Sequence, residues 1–189
     1  MIKRELYMSR IRPFIGGELI KVMTGVRRSG KSVMLELIKQ ELIESGISEN
    51  QFISINFEDM SYANLCTAKA LHDEIKMRAE KISGKVYLFF DEIQEVKDWE
   101  KCINSFRITL DCDIYITGSN AKLLSGELAT YLGGRYVEFV IYPFSFSEFL
   151  QLYQPIAPQD SVQQCFQKYL LSGGMPYLAN LDYAEEPSR

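Results

Sequence analysis

Gly25-Val26-Arg27-Arg28-Ser29-Gly30-Lys31-Ser32 has the spacing G-x-x-x-x-G-K-[ST]. The run Leu19-Ile20-Lys21-Val22-Met23 before it reads as a strand, and Ser32-Val33-Met34-Leu35-Glu36-Leu37-Ile38 after it has helical spacing. A loop of this composition between a strand and a helix is built to hold phosphate. Its glycines let the backbone curl so that successive N–H groups point inward, and the helix N-terminus adds partial positive charge. Gly25, Val26, Arg27, Arg28, Ser29, Gly30, Lys31, Ser32 and Val33 form the expected phosphate-binding set. Within it, Lys31 reaches the outer phosphates and the Ser32 hydroxyl is a ligand for Mg²⁺.

The chain of 189 residues, 47% hydrophobic and 24% charged, suffices for one packed core with a small appended subdomain. No apolar stretch approaches a membrane span, so no membrane partner is expected. Met1-Ile2-Lys3-Arg4-Glu5 lacks the apolar centre of a secretion signal, which points to a cytoplasmic protein. Cys66, Cys102, Cys112 and Cys165 show no C-x-x-C spacing, so neither a zinc site nor a redox pair is indicated. The sole histidine, His72, has no partner nearby in sequence. The net charge of −4 argues against a dominant nucleic-acid surface. Yet residues 1–31 hold eight basic and two acidic side chains. That excess reads equally as a positive mouth around a polyphosphate and as a solvated face, with nucleic-acid contact weakly supported.

Strands are expected at Leu19–Thr24, Phe52–Phe57, Lys85–Phe90, Asp113–Thr117 and Tyr136–Tyr142. Helical patterns fill 31–45, 67–82, 99–110 and 121–130, with Asp98 as a cap for the third. The alternation predicts an α/β fold, a mostly parallel sheet with helices on both faces. After Pro143 the composition changes, and the apolar face of Phe146, Phe149 and Leu150 opens a small helical subdomain. The expected division is a core over 1–143 and a helical lid over 144–189 that stops short.

Val86-Tyr87-Leu88-Phe89-Phe90 delivers Asp91-Glu92 to the edge of a parallel sheet where ligands bind. Asp91 is expected to hold the Mg²⁺ shell through water. Glu92 is expected to orient or deprotonate an attacking water; an acidic helix cap is the plainer alternative. The strand ending at Thr117-Gly118 leads to Ser119 and Asn120, candidates to touch that water or the γ-phosphate, or else a helix cap. Asn56 either hydrogen-bonds Glu92 or makes a turn. Arg135, after Gly133-Gly134, either neutralises transition-state charge from a loop at the same sheet edge, within the chain or across subunits, or is an ordinary surface arginine. Adenine is placed, from position alone, between the segment Ile11–Ile15 and the later helices. The absence of an N-K-x-D sequence favours ATP over GTP.

These blocks, with Phe90-Asp91-Glu92-Ile93-Gln94, Ile116-Thr117-Gly118-Ser119-Asn120, Gly134-Arg135-Tyr136, Tyr142-Pro143-Phe144-Ser145-Phe146-Ser147-Glu148-Phe149 and Gly173-Gly174-Met175-Pro176, resemble the AAA-type P-loop NTPase domain of the prokaryotic ATPases that carry a DUF4143 C-terminal domain. The resemblance covers nearly the whole chain. It implies a five-stranded core of order 5-1-4-3-2, an ATP site at its edge, a helical lid and a further C-terminal domain that this sequence does not contain. The expected activity is Mg²⁺-dependent ATP hydrolysis to ADP and phosphate, slow in this chain and coupled to conformational change, with self-association bringing Arg135 to a neighbour. A nucleotide switch with negligible turnover, a small-molecule kinase and a DNA-associated ATPase are the rivals. The adjacent Asp91-Glu92 pair disfavours the kinase.

Overall fold

The structure is a computed structural model that describes residues 2–118, 130 and 132–176. Five strands, β1 (Ile20–Thr24), β2 (Phe52–Asn56), β3 (Val86–Asp91), β4 (Cys112–Thr117) and β5 (Tyr136–Val140), form one sheet in the order β2-β3-β4-β1-β5. Every pairing is parallel. Parallel neighbours need crossovers, and helices α1 (Glu5–Ile11), α2 (Lys31–Glu44), α3 (Ala68–Ala79) and α4 (Trp99–Thr109) cover the two faces. This is the expected order, and the strands begin and end within two residues of their expected limits. The expected helix at 121–130 lies outside the described residues apart from its last position.

Burial explains the strand sequences. All of β1 and all of β3 are buried, so their apolar residues do not alternate with exposed ones, whereas the edge strand β2 alternates. The pleat divides them between two cores. Val86, Leu88 and Phe90 face Leu71, Ile75, Ile103 and Phe106 of α3 and α4. Tyr87 and Phe89 face Ile11, Met34 and Ile38 of α1 and α2. Within the second core lies a buried polar cluster at the N-terminal edge of the sheet. Lys21, wholly buried in β1, pairs with Asp113 of β4 and donates to Gly17 O at 3.1 Å. Asp113 also accepts from Gly16 N–H at 2.7 Å and from the Tyr115 hydroxyl at 2.8 Å. Burial pushes the Lys21 ammonium down from its ordinary value. Lys21 belongs to the run expected as plain strand; its charge is compensated by a partner 92 positions away.

Thr67, the first residue of the expected helical span 67–82, caps α3 by accepting from Ala70 N–H. Asp98 does not cap α4 with its side chain: it adopts left-handed backbone, and its carboxylate meets Lys101 at 2.9 Å. Beyond β5, helices α5 (Phe146–Tyr153) and α6 (Val162–Ser172) pack around Phe149, Tyr153, Ala157 and Cys165. Ser145 and Ser161 open them with full capping boxes. The segments before and after the pair meet at Phe144 and Gly174. Phe144 N–H donates to Gly174 O at 2.6 Å, and a Cβ on Gly174 would stand 2.2 Å from Phe144 O. Only glycine fits that approach.

Candidate functional site

Because all five strands are parallel, their C-terminal ends share one edge. The register sets Asn56 beside Asp91, and Met23 beside Thr117. The phosphate loop leaves β1 at this edge. Gly25 has φ +145°, and a Cβ there would lie 2.2 Å from Ile141 O, so the loop passes against β5 with no room for a side chain. Gly30, at φ +97°, turns the chain into α2, which starts at Lys31. The free N–H groups of the first turn and the helix dipole therefore point at the loop's hollow.

Lys31 is 4% exposed and stands 3.5 Å from Oε1 of Glu92. Glu92 follows β3 in left-handed backbone, φ +54°. Its other oxygen, Oε2, accepts from Gln94 Nε2 at 2.5 Å. Its N–H donates to Thr117 Oγ1 at 2.9 Å, and the Thr117 hydroxyl in turn donates to Asp91 Oδ1. Asp91 is buried beside it. Thr117 thus locks the two carboxylate-bearing residues to β4. A hydroxyl at the end of β4, opposite the carboxylate ending β3, is legible in the sequence two residues before the expected pair Ser119 and Asn120. Ser119 and Asn120 lie outside the described residues.

Arg27, Arg28, Lys31, Ser32, Val33 and Glu92 share a cleft of about 820 Å³ with Ile2, Arg4, Phe144, Leu152 and Pro176. The cleft therefore lies between the sheet edge, the N-terminal segment and the helical pair. Arg27 pairs across its rim with Glu58 at 3.5 Å, both exposed. Ser32 and Asp91 also line a hollow of about 400 Å³ on the β2 side.

Two expectations are corrected, and the alternatives for Asn56 are decided in favour of the turn. Asn56 does not hold Glu92: its Oδ1 accepts from Glu58 N–H at 2.9 Å, closing a turn, and Gln94 takes the place expected of it. Arg135 is not at the phosphate edge. Its carbonyl accepts from Ile20 N–H at 3.1 Å, at the start of β1, while the loop begins after Thr24 at the end. Five strand residues, about 16 Å, separate the two, which removes Arg135 from its own chain's cleft. The segment Ile11–Ile15 is likewise misplaced as an adenine wall. Ile11 is fully buried in the core, and the chain runs on to Gly16 at the Asp113 edge. The apolar walls at the cleft are Ile2, Phe144, Leu152 and Pro176.

His72 stacks on Phe106 at 5.5 Å, away from the cleft. The four cysteines are free thiols, and burial pushes Cys102 and Cys112 up to about 12. Among the described residues no cluster of three or more His, Cys, Asp or Glu could hold a metal ion. No described helix is long and apolar enough to cross a membrane.

The sequence pattern described as an AAA domain matches residues 18–150, from β1 into α5. The chain belongs to the AAA domain family. An uncharacterized protein of Haemophilus influenzae is 41% identical over 182 residues, 96% of this chain and 46% of that protein. An uncharacterized protein of Methanocaldococcus jannaschii is 35% identical over 172 residues, 86% of this chain and 37% of that protein. The chain spans less than half the length of either. Among solved structures, AMPPCP-bound DnaA from Aquifex aeolicus superposes on this AAA domain with a TM-score of 0.62 at 13% identity, over 94% of this chain and 58% of that one. The Orc1 protein of Aeropyrum pernix in complex with DNA gives 0.56 at 13% identity, over 82% and 49%. At such identities the likeness is one of fold.

Proposed function

We propose that this AAA domain binds Mg·ATP in the cleft at the sheet edge and hydrolyses it to ADP and phosphate, driving or gating a conformational change. The observation that carries the reading is the facing pair Lys31 and Glu92, one on the phosphate loop at the start of α2, the other after β3. A buried cation beside inward-facing N–H groups suits the outer phosphates. A carboxylate within reach of the same space suits a general base. In hydrolysis, water oxygen bonds to the γ-phosphorus, the bond from that phosphorus to the β,γ-bridging oxygen breaks, and the water proton passes to Glu92. The Gly25–Val33 loop binds and orients the phosphates. The apolar walls Ile2, Phe144, Leu152 and Pro176 are assigned to the base.

Hard oxygen donors are what Mg²⁺ takes, and Ser32 and Asp91 supply two lining one hollow. The small protein ligand set fits an ion that keeps waters and phosphate oxygens. When bound, the ion would neutralise charge on the phosphates. Asp91 keeps its carboxylate aimed there through the Thr117 hydroxyl.

Arg135, exposed at the opposite edge, is assigned as a charge-neutralising residue for a neighbouring subunit's site. The helical pair from residue 144 onward is assigned as a lid. Membership of the DUF4143-bearing subfamily, with a further domain in the whole protein, accords with the greater length of both relatives. One observation favours a slow switch as the second reading: Lys31 and Glu92 are engaged with each other, so a nucleotide must part them. Phosphate release measured in the burst and the steady state decides. Sustained Mg²⁺-dependent turnover supports the ATPase; binding with a single stoichiometric release supports the switch. No nucleotide affinity by fluorescence titration refutes both.

A further inference from the structure

Arg4 belongs to no motif, yet it is 2% exposed and sits where the N-terminal segment crosses the phosphate loop. Its guanidinium lies between the rings of Tyr7, 4.6 Å away, and Phe144, 5.1 Å away. Every edge of the fork is used. Nη1 donates to Ser29 O at 2.9 Å, Nη2 to Tyr142 O at 2.8 Å and to Glu148 Oε2 at 3.4 Å, and Nε to Glu148 Oε1 at 2.8 Å. One side chain thus joins the phosphate loop, the segment after β5 and the first helix of the pair. Its own backbone is left-handed, φ +46°, a conformation that residues with a Cβ seldom adopt.

The Ser29 contact matters most. The peptide between Ser29 and Gly30 is trans, so its C=O and N–H point in opposite directions. With the carbonyl held by Arg4, the Gly30 N–H must face away from Arg4. A glycine at position 30 leaves that peptide free to flip unless something fixes it. We propose that Arg4 is a positioning residue for the phosphate loop: it fixes the Ser29–Gly30 peptide so that the Gly30 N–H serves phosphate, and through Glu148 it ties that setting to the helical pair. The inference rests on the nucleotide-site reading above. It deepens that reading by making phosphate affinity depend on a residue 25 positions upstream of the loop contact.

Arginine is required by the geometry. Four acceptor oxygens, from Ser29, Tyr142 and Glu148, are met by one side chain, which the fork of a guanidinium serves and a lysine ammonium does not. Glu148 is equally fixed. It closes the capping box of α5, its Oε2 accepting from Ser145 N–H at 2.9 Å, so its position follows the helix. Displacement of α5 would draw Glu148 from Arg4 and loosen the hold on Ser29.

The test compares wild type, Arg4→Lys and Glu148→Gln for binding of Mg·ATP and of Mg·tripolyphosphate by calorimetry, at a temperature where circular dichroism shows each folded. Arg4→Lys is expected to weaken both ligands by a similar factor, about tenfold, and Glu148→Gln to weaken both by a smaller one. Lowered melting temperatures with unchanged affinities would make Arg4 a strap only and overturn the assignment. In wild type, the Gly30 amide resonance is expected to shift on adding Mg·tripolyphosphate. An unmoved Gly30 amide overturns the assignment even if neither variant folds. Failure of wild type to bind either ligand overturns the nucleotide site itself, an outcome distinct from binding that ignores Arg4.

Discussion

Lys31 and Glu92 face each other in the phosphate cleft, Nζ 3.5 Å from Oε1, with side chains 4% and 15% exposed. Each is the other's counter-charge, with little of either side chain exposed. A triphosphate entering the loop must take Lys31 from Glu92, and Glu92 then faces the phosphates with only Gln94 on its second oxygen. On the proposed reading, binding of the triphosphate and release of Glu92 as base are one event.

Removal of Lys31 leaves the loop N–H groups but no fixed cation on the outer phosphates. Lys31→Ala is expected to weaken Mg·ATP binding about 10- to 100-fold, the worth of one charge-assisted hydrogen bond. The fold should persist, because Lys31 contributes its charge and not core packing. Fluorescent-nucleotide titration beside a melting curve checks this. Unchanged affinity in a folded variant would remove the phosphate-loop assignment.

Glu92→Gln separates the two halves of the pair. It frees Lys31 and removes a negative charge facing the phosphates, so Mg·ATP binding is expected to tighten or hold. Hydrolysis should fall by at least about 10²-fold, the lower range for a lost general base. Asp91→Asn should instead lessen the Mg²⁺-dependence of binding. Normal turnover by Glu92→Gln would leave Glu92 as the residue that opens the short helix at Ile93–Glu95.

The carboxyl of Glu148 feels two opposed effects. Burial raises its pKa, but hydrogen bonds from Arg4 and from Ser145 outweigh burial and hold it below its ordinary 4.5. A carboxylate with a depressed folded value stabilises the fold above its unfolded pKa, and that stability is lost as pH falls through the folded value. Glu148→Gln should therefore melt lower than wild type at neutral pH, with the gap narrowing below pH 4.5. A gap independent of pH would mean that the ion pair with Arg4 contributes nothing through charge.

The buried pair at the other edge of the sheet gives a stability test far from the cleft. Asp113→Ala leaves the Lys21 ammonium wholly buried with Gly17 O as its remaining hydrogen-bond acceptor. Breaking one side of such a pair costs about 3–5 kcal/mol. Lys21→Met with Asp113→Ala should recover part of that loss in denaturant unfolding. An equal loss in single and double variants would contradict the ion-pair account.

What was legible in the sequence was local. The phosphate loop, the strand ending in Asp91-Glu92 and the alternation of strands and helices each announce themselves within about ten residues. What was missed is long-range. Arg4 meets Glu148 across 144 positions, and Lys21 meets Asp113 across 92. No pattern of spacing carries such pairs. The sequence left Asn56 open between two roles and set Arg135 at the wrong edge for a related reason. An asparagine after a strand suits both a turn and a site, and only the Glu58 N–H decides. A residue before a parallel strand lies at the edge opposite the ligands, which the strand assignment already implied for Arg135.

That placement reshapes the expectation for Arg135. Arg135 is exposed beside the start of β1, away from its own chain's cleft, and the proposed reading gives it to the site of another copy. The chain is therefore expected to bind ATP but to hydrolyse it slowly when dilute, with specific activity rising as subunits meet. Arg135→Ala should abolish the concentration-dependent part while leaving affinity nearly intact, since the residue touches no part of its own cleft. Where an arginine stabilises phosphoryl transfer from a neighbour, it is worth about 10³–10⁵ in rate, so the effect cannot hide in experimental scatter. Phosphate release against enzyme concentration, for both proteins, is the measurement. A fast rate that ignores concentration and survives Arg135→Ala would leave Arg135 as a surface residue at the head of β5, and the neutralising charge would then have to come from the cleft itself, where Arg27 and Arg28 line the rim.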